Sequence, residues 1–554
     1  MTLSGMAASL TKDNAAETSK LQTGNGLRAF TLEDLNFGGT NYHNMVPKNR
    51  YTTWWGDELV RLDAEHCYLV NKASGHETEL FGTALLNKSG LNVHSLYYAA
   101  FPEADKPWVM VRSGRQQVLF DWKKKKTVWS IDLDSATQAS SLCYASKALA
   151  FVNGNQLYVE RAGSQPVQLT TDGSRDIVYG QSVHRDEFGI ESGLFWSPDG
   201  QRLAFYRMDQ SMVTDYPQVD IPEPTWVPKS GSRIATEAPD KYPMAGETSH
   251  KVTVGIYDLK TGTTLYLKAG DPTDRYFTNI AWSPDSKTVY MFELNRDQND
   301  CRLVSYNAAT GDKIKELYRE TDDKYVEPLH PIVFLPWNAN QFVMQSQKDG
   351  YNHFYLFDTD GNQLKQLTKG PWVVEDMVGF DARQHTIIYL GNELSPIQRN
   401  IFSINVDNGR TQRLDETGNG WHSASLSPSG SYLVDNYSEP TTPRNIAIVN
   451  TTTAQAHRWF TADDPWKGYN VPEYRMGTIK AADGTTDLYY RMVMPVGFDP
   501  KKKYPTIVYV YGGPHAHNVD ARWHYCSRSW ETYMAQKGYL LFILDNRGSE
   551  NRGK

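Results

Sequence analysis

Apolar residues along most of this chain fall into short runs. Each run ends in an aromatic or aliphatic residue followed by Asp, Asn or Glu, and a turn then leads into another run. The copies are Tyr68-Leu-Val-Asn71, Val118-Leu-Phe-Asp121, Leu157-Tyr-Val-Glu160, Ile256-Tyr-Asp258, Ser305-Tyr-Asn307, Leu356-Phe-Asp358, Ser403-Ile-Asn405 and Ile448-Val-Asn450. Between their polar end residues the spacings are 50, 39, 98, 49, 51, 47 and 45 residues. Thr-Gly, Asp-Gly or Asn-Gly follows several of them, which supplies the positive φ of a hairpin turn between β-rich strands. A second phrase interleaves with the first, as Trp196-Ser-Pro-Asp-Gly200 and Trp282-Ser-Pro-Asp285, with weaker copies at Phe380-Asp-Ala382 and Leu426-Ser-Pro-Ser-Gly430. Together they describe a repeating strand–turn–strand unit of roughly 45–50 residues. A single four-stranded sheet cannot bury both faces, so such units stack radially. The pattern predicts a mainly β chain with an eight-bladed β-propeller over 28–473. The phrase is not Gly-His…Trp-Asp, which excludes a WD40 repeat.

The 98-residue spacing holds one blade plus a long excursion. The extra residues fall at Gln181–Glu191 and Met208–His250, the second rich in Pro, Ser and charge. Excursions of this length within a compact repeat are functional or disordered. Around Tyr474 the pattern changes. Tyr474-Arg-Met-Gly-Thr-Ile and Leu488-Tyr-Tyr-Arg-Met-Val-Met494 read as strands around an Ala-Asp-Gly-Thr turn. Thr506-Ile-Val-Tyr-Val-Tyr511 reads as an apolar strand covered on both faces, Trp530–Lys537 as a helix and Gly538–Leu544 as another buried strand. Strand, helix, strand opens an α/β domain over 474–554, and the pattern reaches Lys554 with that domain unfinished.

Composition narrows the classes. Lys and Arg number 57 against 64 Asp and Glu, a net charge of −7, which disfavours nucleic acid as a partner. No run of about 18 apolar residues occurs, so no transmembrane helix is predicted. Residues 1–27 read as a disordered or processed N-terminus, since they lack a basic n-region and a full apolar core. Cys67, Cys143, Cys301 and Cys526 are scattered, with no Cys-x-x-Cys pair. Isolated disulfides stay open on this reading. Lys123-Lys-Lys-Lys126 is a solvated hairpin tip. His515, His517 and His524 lie near Cys526 in sequence, but their spacing fits no ligand pair, and no metal or other cofactor is expected.

Chemistry concentrates at the end of the predicted strand, in Tyr511-Gly-Gly-Pro514-His515. Ligands of open α/β sheets bind at the carboxyl ends of strands, and a Tyr hydroxyl there can donate to a developing oxyanion. Asp545-Asn-Arg547-Gly-Ser549 ends the next strand and reads as a loop held by an Asp–Arg pair.

These phrases, with Gln168-Leu-Thr-Thr-Asp-Gly173, Val183-His-Arg-Asp-Glu-Phe-Gly-Ile190, Ala204-Phe-Tyr-Arg-Met-Asp-Gln210, Tyr242-Pro-Met-Ala-Gly246 and Pro328-Leu-His-Pro331, give the chain a family likeness over about residues 28–554. It resembles the prolyl oligopeptidase family of serine peptidases, its dipeptidyl peptidase IV branch above all, and within that the bacterial prolyl tripeptidyl peptidases. The resemblance implies a propeller that gates an α/β-hydrolase domain and binds the free α-amine of peptide substrates with proline near the amino end. It places that amine on Glu187, with Asp186 and Glu191 as second choices, and makes Tyr511 the oxyanion donor. Asp-Glu stands here where the dipeptidyl branch shows a double Glu, so release of two or three residues stays open. No Gly-x-Ser-x-Gly elbow occurs in the sequence, so the catalytic Ser, Asp and His are expected beyond Lys554 and the chain alone is expected to be inactive. The resemblance also implies export or a periplasmic location and allows a homodimer. Two other readings compete: a non-catalytic propeller that binds peptides or proteins, and an endo-acting or acylamino-releasing enzyme with no need of an amine-binding acid.

Overall fold

The computed structural model describes residues 26–133, 135–221 and 234–554. The expectation for 1–27 falls almost wholly outside that range. Eight antiparallel sheets follow one another along the chain, at 51–82, 108–132, 139–168, 177–266, 275–321, 333–366, 374–413 and 421–461. We number them blades 1 to 8. Blade 2 has three strands, with Ala100 and Phe101 bridging to Met110 and Trp55 beside it, and blade 4 has five strands.

The two recurring phrases have distinct physical jobs. In seven of the eight copies the terminal Asp or Asn turns its Oδ1 back onto two backbone N–H groups of the following turn. Asn307 accepts from Ala309 and Thr310 at 2.8 and 3.2 Å, and Asp121 accepts from Lys123 and Lys124 at 3.1 and 2.8 Å. A short polar side chain is what such a turn requires. The Trp of the second phrase fastens neighbouring blades. Trp196 Nε1 donates to the Ser141 carbonyl at 3.0 Å, and Trp282 Nε1 donates to the Phe195 carbonyl at 3.1 Å.

Eight apolar clusters fill the eight blade junctions, one at each. Blades 1 and 8, like every other neighbouring pair, share no strand, so packing closes the ring there. Trp54, Leu59 and Val70 meet Val434, Ile446 and Ile448, and Trp54 Nε1 reaches Ser425 Oγ at 3.1 Å. Burying each aliphatic side chain of this junction contributes about 1.5–3 kcal/mol.

The excursion of blade 4 leaves at Asp209 and returns at Lys251, which pair across the sheet. It carries two short ribbons, Asp215–Tyr216 with Asp240–Lys241 and Val219–Asp220 with Thr236–Glu237.

The last sheet runs Tyr474–Lys480, Asp487–Val493, Leu540–Leu544, Thr506–Val510 in spatial order. Its final pair is parallel, and the helix Ser529–Gln536 connects toward Leu540. One expectation needs correction here. Thr506–Val510 is not covered on both faces: Ile507 and Tyr509 pack into the sheet's apolar cluster, whereas Val508 is 64% and Val510 49% exposed on the opposite face. Residues 28–45 pack on this part of the molecule, where Phe30, Leu35 and Met45 meet Trp466 and Tyr469. Inside the sheet layer, Arg491 and Glu531 form a fully buried bidentate pair at 3.0 and 2.9 Å. All four cysteines are free thiols, so no disulfide staples the fold.

Candidate functional site

The loop carrying the acidic trio is held at both ends by buried side chains. His184 Nε2 accepts from the Phe277 N–H at 3.3 Å, and Phe188 packs on Tyr276. Burial pushes the His184 imidazole down to about 3, so it is a neutral acceptor. Asn279 Nδ2 donates to the carbonyls of Phe188 and Pro328, at 3.2 and 2.7 Å, and joins the loop to the 326–332 segment. Gly189 completes the join. Its φ is +70°, and a Cβ there would stand 2.2 Å from the Leu329 carbonyl oxygen. Between these anchors Arg185, Asp186 and Glu187 are exposed, and Arg185 and Asp186 lie in the left-handed region at φ 60° and 62°. Backbone strain of this kind persists only where the surroundings over-determine it, as they do here. Arg185 is drawn outward by Asp240 of the excursion at 2.7 Å. Glu191 is also exposed, just past the buried Ile190.

On the opposite side, the segment after Tyr511 is shaped by the next strand end. Asp545 accepts from the backbone N–H groups of Asn518 and Val519 at 3.0 and 2.9 Å and from Asn518 Nδ2 at 2.9 Å. The expected Asp545–Arg547 pair does not form. Arg547 reaches Asp483 instead, at 3.2 Å, because the backbone donors of Asn518 and Val519 already claim the Asp545 carboxylate. Tyr511 is 60% exposed and its ring lies over Gly513, where a Cβ would meet Cε1 at 2.9 Å.

The two sides face each other across a cavity of about 930 Å³. Gly189, Glu327 and Glu375 line it from the propeller, and Pro514, His515 and Glu550 line it from the final segment. His515 bridges the wall, with Nε2 2.9 Å from Glu327 Oε1 and Nδ1 3.5 Å from Glu550 Oε2. Burial raises the Glu327 carboxyl, and the negative charges of Glu550 and Glu187 raise it further against the opposing His515. Glu187 therefore stands within electrostatic reach of the group that His515 touches. Tyr511 is not among the lining residues, although Pro514 and His515, three and four positions on, are.

The three histidines singled out in the sequence occupy separate surroundings. His517 packs against Trp421 at 5.3 Å, while His524 stacks on Trp523 and Tyr474 at 4.1 and 4.4 Å and is pushed down to about 3 by burial. Sequence reasoning missed Glu327, Glu375 and Glu550. Glu327 directly precedes the phrase Pro328-Leu-His-Pro331, the one signal that pointed there; nothing marked the other two.

The blade ring and the start of an α/β sheet meet at this cavity, with the acidic loop reaching one wall and the strand-end segment the other. The family model for the dipeptidyl peptidase IV (DPP IV) N-terminal region matches residues 110–444, and the chain belongs to the dipeptidyl peptidase IV branch of the prolyl oligopeptidase family. A crystal structure assigned as a dipeptidyl aminopeptidase IV from Bacteroides ovatus superposes with a TM-score of 0.88 at 43% identity, covering 95% of this chain and 76% of that one. Dipeptidyl peptidase 4 of Porphyromonas gingivalis shares the fold, with a TM-score of 0.76 at 24% identity over 96% of this chain and 75% of that one. The Talaromyces marneffei protein assigned as dipeptidyl-aminopeptidase B is 27% identical over 82% of this chain and 54% of its own length. Dipeptidyl-aminopeptidase B of Aspergillus niger is 28% identical over 76% of this chain and 49% of its own length. The chain thus spans about half the length of the curated relatives it matches.

Proposed function

We propose that this chain forms the substrate chamber of an exported serine exopeptidase that releases dipeptides or tripeptides after proline from a free amino terminus. The observation that carries the reading is the shared cavity: the Glu187 loop meets it at Gly189, and the segment following Tyr511 meets it at Pro514 and His515. A carboxylate paired with the substrate ammonium fixes how many residues separate the amine from the attacked carbonyl. Glu187 takes that role, flanked by Asp186 and Glu191. Tyr511 donates its phenolic O–H to the oxyanion as the tetrahedral intermediate forms, an interaction worth several kcal/mol in acyl transfer. A serine supplies the nucleophile and forms the acyl-enzyme, which water then hydrolyses. The propeller ring restricts entry to the chamber. The open parallel edge of Thr506–Val510 is a surface on which a further strand can pair, in keeping with a continuing hydrolase sheet.

The test uses the protein as its gene encodes it and chromogenic substrates carrying one or two residues before proline, each with a free or an acetylated amine. Cleavage of the free-amine forms alone is expected, and Glu187→Ala should lower kcat/KM for them by roughly 100-fold. Equal cleavage of acetylated substrates would remove the exopeptidase reading. No cleavage of any substrate would favour a peptide-binding module.

A further inference from the structure

The cavity contains a third carboxyl, besides Glu327 and Glu550, whose position nothing above explains. Glu375 stands at a β-bulge of blade 7, between the paired positions Val374↔Gly391 and Asp376↔Leu390. An extra residue in a strand leaves the ladder and re-aims its side chain, here onto the cavity wall. The side chain is 8% exposed, and Oε1 is buried without a hydrogen-bond partner among the described residues. Arg399 does not meet that need. Its Nη1 lies 3.9 Å from Oε2, beyond hydrogen-bond reach, while its Nε donates to the His422 carbonyl at 2.8 Å and its guanidinium covers Trp421. A buried, unsatisfied carboxyl oxygen costs free energy and is therefore a poised acceptor.

We propose that Glu375 is a further ammonium-binding carboxyl of this cavity, taking a protonated amine of a peptide ligand. The proposal rests on the peptide-chamber reading given above and adds a residue to it. The wall favours a cation over a neutral donor. Glu550 lies within electrostatic reach of both Glu375 and Glu327, and Glu187 within reach of Glu327, so carboxyls follow one another along the cavity. Of the cations on the same wall, Arg547 and Lys554 are engaged by Asp483 and Asp322 at 3.2 and 2.7 Å, and Lys324 is exposed to solvent. A peptide offers such an amine at its amino end or on a lysine side chain.

The surroundings also give this carboxyl a signature. Burial foremost pushes it up to about 8, Glu550 and Asp520 add to the effect, and Arg399 and Arg522 oppose it. Near neutral pH the unliganded group is therefore mostly the neutral acid. An incoming ammonium favours the carboxylate, so the acid O–H bond breaks and its proton leaves to solvent as the ion pair forms.

Calorimetric titration of the 554-residue chain provides the test, run near pH 7 in phosphate and in Tris so that the buffer reports proton transfer. The probes are proline-containing pentapeptides with a free or acetylated amino end and with lysine or norleucine at the central position. We expect proton release on binding by the native chain, and loss of that release in Glu375→Gln together with roughly 10- to 100-fold weaker binding. Sensitivity to acetylation assigns the α-amine, and sensitivity to norleucine assigns the lysine. Unchanged affinity in Glu375→Gln, no proton release by the native chain, or no binding of any probe would overturn the proposal. If Glu375→Gln fails to fold, Glu375→Asp, which shortens the reach of the carboxyl, takes its place, and unchanged affinity in that variant would overturn the proposal. Normal binding with no cleavage by the encoded protein would overturn the peptidase reading while supporting Glu375.

Discussion

The propeller and the final sheet solve the same burial problem in opposite ways. Around the ring each junction is an apolar cluster shared by two blades, and the strand-end Asp or Asn of seven repeats is spent on a local turn. In the sheet at 474–544, the centre is organised by charge. Arg491 is fully buried, pairs with Glu531, and donates to the carbonyls of Asn518 and Tyr525 at 2.6 and 2.5 Å. Asp545 gathers the same segment from the other side. Repetition lets shape do the work in the ring, because the same interface recurs. A single unrepeated loop that must present Pro514 and His515 to a cavity is positioned by directional bonds instead.

Breaking the charge pair should have the largest effect. Glu531→Ala leaves Arg491 buried without its partner and is expected to cost about 3–5 kcal/mol. Calorimetry or limited proteolysis should show the final sheet and the 28–45 segment opening while the ring stays folded. Simultaneous loss of both regions would mean that they form one cooperative unit. Leu59→Ala at the junction of blades 1 and 8 is expected to cost about 2–4 kcal/mol, and it should loosen the ring where its first and last blades meet. Hydrogen exchange should rise in blades 1 and 8 before blades 4 and 5; a uniform rise would deny the seam any special role.

The smallest effect sharpens the contrast from within the ring, where blade 8 holds a buried charge of its own. His422 Nδ1 lies 2.7 Å from Asp435 Oδ1, and both side chains are fully buried. Burial works against the imidazolium, but Asp435 and then Asp415 outweigh it and raise the His422 value above the ordinary one. A group raised on folding stabilises fully below its unfolded value and loses that contribution as pH climbs through the folded one. Thermal stability should therefore decline as pH rises from 6 toward 9, and His422→Gln should flatten the slope. An unaltered slope in that variant would place the pH dependence elsewhere.

Much of the ring was legible because its signals are local. An Asp or Asn at a strand end caps the turn two and three residues on, and a Trp before Ser-Pro-Asp reaches the neighbouring blade, so the count of phrases equals the count of blades. The excursion in blade 4 could be placed for the same reason, from an interval that was too long. The candidate site was legible only in part. The Glu187 loop and the Tyr511 segment carry recognisable phrases, whereas Glu327, Glu375 and Glu550 lie far apart in sequence and meet only across the cavity. Asp545 misled for a related reason: a nearby arginine looked like its partner, but the backbone donors of Asn518 and Val519 held a stronger claim.

The order of residues alone determined how many sheets form, where each turns and which loop departs from the repeat, since these follow from contacts a few positions apart. Folding decided which carboxyls share a wall, which histidine joins propeller to final segment and which acid is left without a partner. Those outcomes depend on burial and on charges brought together from distant blades, and neither quantity exists until the ring has closed.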